Sequence, residues 1–130
     1  MPNQRERPAA ALAALTADIA CLVVFATIGR RTHAEGLTLI GIADTAWPFV
    51  AGAVAGWLLV RGWRRPTAIA PTGVTVWACT VVVAMMLRRV TGEGTALSFV
   101  VVASLVTGVL MLGWRAAARR WGRKDAQKDA

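Results

Sequence analysis

The chain has 130 residues, 56% of them hydrophobic, with 15 basic and only 7 acidic side chains. That length holds one domain. The charged residues are segregated into short arginine-rich connectors between long apolar blocks, which excludes an ordinary soluble domain. The apolar runs are continuous, which excludes β-barrel strands alternating over about ten residues. Basic flanks on apolar runs are what membrane topology demands, so the net charge of +8 does not call for a nucleic acid partner.

About 20 apolar residues in a helix cover a hydrocarbon core of roughly 30 Å, and a helix satisfies its own backbone hydrogen bonds where no water is present. On that basis the chain divides into a polar head, residues 1–8, a four-helix transmembrane domain, residues 9–114, and a basic tail, residues 115–130. The first span, about 9–29, starts just after Pro8, where a missing N–H costs nothing. It is longer than the apolar core of a signal peptide, about 7–15 residues, and it carries an acid, so it is expected to be retained.

That acid is Asp18, near the middle of the span and about 18 Å along the helix from Arg30. A central Asp costs about 3 kcal/mol for insertion, a cost that the surrounding Leu, Ile, Val and Phe side chains offset. Asp18 shares a helical face with Ala11, Ala14 and Cys21, which suits a helix contact better than lipid. Apolar surroundings favour its protonated form. Two readings follow: a proton or cation site, or a structural acid hydrogen-bonded to Thr75, Thr80 or Thr107 on a neighbouring span.

The second apolar block runs from Leu37 to Val60, interrupted by Pro48. Leu37 to Thr45 reads as an interfacial lead-in and about 46–61 as the span, with Trp47, Trp57 and Trp63 as boundary markers. Gly52 and Gly56 form a G-x-x-x-G, a spacing that lets helix backbones approach within or between subunits. The third span is about 68–87 and the fourth about 96–114, with Ser104 and Gly108 as a small face. The tail, with its arginines and Trp121, reads either as a segment on the cytoplasmic leaflet touching anionic lipid headgroups or as a disordered topology anchor.

Eleven Lys and Arg side chains fall on the face that carries the head, the second connector and the tail, against four on the opposite face. The richer side is cytoplasmic by the positive-inside rule, so both termini are expected there. The chain also matches itself. Residues 20–39 align without gaps on 78–97 with 10 identities in 20, including Arg-Arg, Glu-Gly and Cys. Gly62-Trp63-Arg64 aligns on Gly113-Trp114-Arg115 at a shorter offset. The expectation is a duplicated helical hairpin, a 2+2 parallel repeat whose copies share one orientation.

The outer face gathers Arg30, His33, Asp44 and Arg88 among its charges. It reads either as a site for an anionic ligand or as ordinary loop pairing, for example Asp44 with Arg88. Cys21 and Cys79 lie inside apolar runs without a C-x-x-C pair, so neither a metal nor another cofactor is expected. No nucleophile elbow, phosphate loop or H-E-x-x-H is present, and no enzyme activity is expected.

These residues resemble a family of short prokaryotic membrane proteins catalogued as a domain of unknown function, number 3054. The resemblance is carried by Asp18, by Ile28-Gly29-Arg30 followed by His33, and by Pro48-Phe49. It continues through Trp77, Thr80, Leu87-Arg88 and Gly113-Trp114-Arg115, over about residues 15–115. It implies a four-helix protein of the prokaryotic plasma membrane and brings no established activity, substrate or cofactor. Two function classes are therefore expected. One is a structural or accessory membrane subunit, self-associating or partnered. The other is a proton-coupled small-solute transporter or channel acting as an oligomer with Asp18 as its protonatable site. In architecture alone the chain is similar to the small multidrug resistance exporters, which also place one acid in the first of four spans.

Overall fold

The structure, a computed structural model, describes residues 6–32 and 37–128. It is an all-α bundle of four helices: α1 (Glu6–Thr32), α2 (Leu39–Val60), α3 (Val74–Val90) and α4 (Leu97–Lys128). Four segments are long and apolar enough to cross a membrane, one on each helix, the third also taking in the turn Ile69–Gly73 before α3. Consecutive helices pack on one another and α1 closes the ring against α4. With four spans, both ends of the chain reach the same face, called here the terminal face.

Polarity runs opposite to that of a soluble bundle. Leu12, Ile28, Leu39, Ile40, Leu58, Leu59, Leu105 and Val109 point outward, whereas Asp18, Thr72, Thr80, Thr107 and Arg115 are buried. An exposed apolar surface of this extent has lipid as its natural solvent. Several span hydroxyls are satisfied within their own helix. Thr80 donates to the Val76 carbonyl at 2.6 Å, Thr107 to Ala103 at 2.5 Å, and Ser104 to Val100 at 2.7 Å. The chain is a multi-pass membrane protein.

Local chemistry sets the helix ends. Thr38 caps α2 by accepting the Gly41 N–H at 3.0 Å. The helix then continues through Pro48, which is buried. It stops where Arg61 takes a left-handed conformation (φ 53°, ψ 56°) and its N–H returns to the Trp57 carbonyl, a turn more often made by glycine. A tight turn, Gly62–Arg64, follows at once. The approach to α3 is the irregular turn Ile69–Gly73, in which Ala70 is extended (φ −124°, ψ 136°) because it precedes Pro71.

The most extensive helix contact is α2 against α3. The G-x-x-x-G faces this seam. A Cβ placed on Gly52 would lie 2.7 Å from the Thr80 Cα, and one on Gly56 2.8 Å from the Val76 Cα. The close approach left open by the sequence is therefore made inside one subunit. Toward the face opposite the chain ends the core is aromatic: Phe25 meets Phe49 edge-on at 5.0 Å, and Phe49 meets Phe99 at 6.4 Å. Toward the terminal face the core turns polar.

Candidate functional site

The polar end of the core is built around Asp18, which is fully buried. Asp18 is carried by α1 and Arg115 by α4, and the packing of α1 on α4 brings the two together. Arg115 is also fully buried, and its guanidinium meets the carboxylate two-pronged: Nη1 donates to Oδ1 at 2.8 Å and Nη2 to Oδ2 at 2.7 Å.

Two indoles complete the shell of the carboxylate. Trp57 Nε1 of α2 donates to Oδ2 at 2.8 Å, and Trp114 Nε1 of α4 donates to Oδ1 at 2.8 Å. Asp18 thus receives four donors, the number of lone-pair positions that an ionised carboxylate offers. All four contacts are N–H donors to the two carboxylate oxygens.

Arg115 is held from behind as well. Its Nε donates to the Pro66 carbonyl at 3.1 Å and its Nη1 to the Met111 carbonyl at 3.1 Å. The guanidinium lies 4.5 Å from the Trp114 ring centroid, a cation–π contact. Two glycines leave room for this arrangement. A Cβ on Gly73 would come within 2.9 Å of the Arg115 Cδ, and one on Gly62 within 2.6 Å of the Trp57 ring. Among the described residues no buried side-chain nitrogen or oxygen lacks a partner.

The threonines proposed from sequence as partners of Asp18 are not used, since Thr80 and Thr107 bond within their own helices. Among the described residues, Arg30, Asp44 and Arg88 each have separate surroundings. The Arg30 guanidinium packs on Gly41 and its Nη1 donates to the Thr45 hydroxyl at 3.4 Å. Arg88 donates from Nε to the Gly94 carbonyl at 3.1 Å and lies 4.3 Å over the Phe99 ring. Asp44 is exposed and is not paired with Arg88. His33 lies outside the described residues.

Sequence reasoning found Asp18 and missed its three partners. Trp57 resembled an interfacial marker, Trp114 only closed the fourth apolar run, and Arg115 resembled the first cation of a topology anchor. One signal was available: Arg115 is the first residue after the fourth apolar run, on the helix that closes the ring against α1.

Comparison with known families matches residues 15–118 to the family described as Protein of unknown function (DUF3054). The chain belongs to that family. The part of this DUF3054 chain that matches includes Asp18, Trp57, Trp114 and Arg115, so the whole polar site lies within the family domain. No curated protein and no solved structure matches the chain.

Proposed function

We propose that this DUF3054 chain is a proton-coupled carrier of a small solute, acting as an oligomer, with Asp18 and Arg115 as its coupling element. The observation that carries this reading is the fully buried Asp18–Arg115 pair between the first and last spans. A buried ion pair is a poor source of stability, because desolvation offsets most of its Coulombic gain. Intramembrane charges that face the bundle interior are, by contrast, characteristic of proton and ion pathways.

The chemistry follows from the hydrogen-bond directions. A proton arriving on Oδ2 neutralises the carboxylate and turns one acceptor into a donor that faces the Arg115 Nη2. The ion pair breaks, and the guanidinium shifts toward the Pro66 carbonyl, to which Nε is already bonded. Loss of the proton draws Arg115 back. One proton is bound and released per cycle, and the α1–α4 seam has two arrangements.

The complete satisfaction of Asp18 equally supports a structural role, in which the pair fixes α4 against α1 in an accessory subunit. Proton flux in reconstituted vesicles separates the two. Wild type is expected to pass protons down an imposed pH gradient, and Asp18→Asn, which keeps the shape and one oxygen to accept an indole N–H but cannot take up a proton, is expected to abolish the flux. Equal background leak from wild type and variant would reject the carrier and leave the staple.

Three further assignments go with this reading. The charge bias of eleven to four supports cytoplasmic termini, and a reporter fused after Ala130 tests it. The basic residues beyond Trp114 support contact with anionic headgroups. The internal match of residues 20–39 with 78–97 supports descent from a duplicated hairpin.

A further inference from the structure

An open groove of about 740 Å³ lies on the terminal face, next to the buried pair. That volume is in the range of small-ligand sites, about 300–1,000 Å³. Its walls come from three places that are distant in sequence: Arg64 and Arg65 after the turn that ends α2, Ala68 and Ala70 on the approach to α3, and Arg119 one turn beyond Arg115 on α4.

The charge of the groove is one-sided. Among the described residues, three guanidinium groups line it and no carboxylate does. All three arginines are exposed, and among the described residues their side chains engage no hydrogen-bond or ion-pair partner. Like charges gathered around one concavity repel, and an anion between them removes that repulsion. Guanidinium groups match the geometry of phosphate oxygens.

We propose that this groove is a binding site for a phosphate-bearing anion, held by Arg64, Arg65 and Arg119. The site stands independently of proton transport by the buried pair. Its chemistry suits a lipid headgroup phosphate at the membrane boundary or a soluble phosphate from the aqueous side. Pro66, a wall of the groove, also accepts the Nε bond of Arg115, so an occupied groove and the buried pair share one backbone group.

The test uses the full chain in two settings, neutral-lipid nanodiscs titrated with inorganic phosphate and mixed nanodiscs containing phosphatidylglycerol. Bound anion is read by native mass spectrometry and by the shift in thermal midpoint. Wild type is expected to retain at least one of the two probes. Saturable phosphate binding in neutral discs identifies a soluble ligand, and selective retention of phosphatidylglycerol identifies a headgroup. The triple variant Arg64→Gln, Arg65→Gln, Arg119→Gln is expected to weaken the retained probe at least about tenfold, given roughly fivefold for each basic side chain. Because the three side chains are exposed, the variant is expected to keep its helix content, and single Arg119→Glu provides a milder check. The control Arg88→Gln, Arg89→Gln removes charge from the opposite face and is expected to leave binding unchanged. If wild type binds neither probe, or if the triple variant and the control lose binding equally, the assigned site is wrong.

Discussion

The two seams that join the helix pairs of this bundle are built on different principles. Between α2 and α3, glycines bring the backbones together, with the Gly52 position closed off by the Thr80 Cα and both adjoining carbonyls. Between α1 and α4 the contact is thinner and is anchored by the Asp18–Arg115 pair and the Trp114 indole. The first kind of seam gains from dispersion over many close atoms, which is what drives helix association in lipid. The second depends on a few strong, directional bonds that a single proton can rearrange. On the proposed function, the polar seam is the one that protonation would rearrange.

The largest expected effect is at the polar seam. Arg115→Met leaves a buried carboxylate with only two indole donors, and Asp18→Leu leaves a buried guanidinium with no counter-charge. Each is expected to cost about 3–5 kcal/mol, read as a fall in thermal midpoint in detergent. The double variant Asp18→Leu, Arg115→Met removes both charges and is expected to recover most of that loss. It thereby separates fold from function: a stable double variant without proton flux supports the carrier. If each single substitution proves as harmless as the double one, the pair is not buried as described.

Next in size is Trp57→Phe, which keeps the ring and deletes the N–H that meets Oδ2. Hydrogen bonds to charged groups contribute about 1.5–3 kcal/mol, and a loss in that range is expected by the same unfolding measurement. A loss below about 0.5 kcal/mol, the range of an ordinary surface change, would mean that the indole bond is dispensable. At the apolar seam, Gly52→Ala puts a methyl group against backbone that cannot turn aside. Overpacking of this kind costs about 1–3 kcal/mol. Its signature differs from that of the ion-pair variants, because cysteine cross-links across α2 and α3 are expected to weaken while those across α1 and α4 persist.

The four helices were legible because a membrane span is written as a continuous apolar run, with no partner needed to recognise it. Asp18 was legible for the same reason, as the one charge that interrupts such a run. Its partners were not. Arg115 stands at the edge of an apolar run, where a cation has an adequate explanation as a topology signal, and Trp57 and Trp114 have one as interfacial residues. Only the closure of α1 on α4, across 97 positions of sequence, shows that three boundary residues turn inward to one carboxylate. The glycine pair shows the same limit in milder form, since spacing announces a close approach without saying which helix makes it. The expected threonine partners failed for a local reason. A hydroxyl inside a lipid-embedded helix has a carbonyl of its own four residues back, as Thr80 and Thr107 both use.

The smallest expected effect sharpens the contrast between buried and exposed charge. Asp44 faces outward on α2 and engages no partner among the described residues, although the sequence suggests pairing with Arg88. Arg88 instead finds the Gly94 carbonyl and the Phe99 ring. Replacing Asp44 with Asn therefore breaks nothing that is desolvated, and water or headgroups solvate either side chain equally well. The expected change in thermal midpoint corresponds to no more than about 0.5 kcal/mol, roughly a tenth of the ion-pair effect. Arg88→Gln gives the matching check from the other partner. Because an exposed cation–π contact contributes about 0.5–1 kcal/mol, it is expected to lose slightly more than Asp44→Asn. If the two losses were instead equal and the double variant lost no more than either single one, the charges would be coupled after all, and the outer face would hold an ion pair of its own.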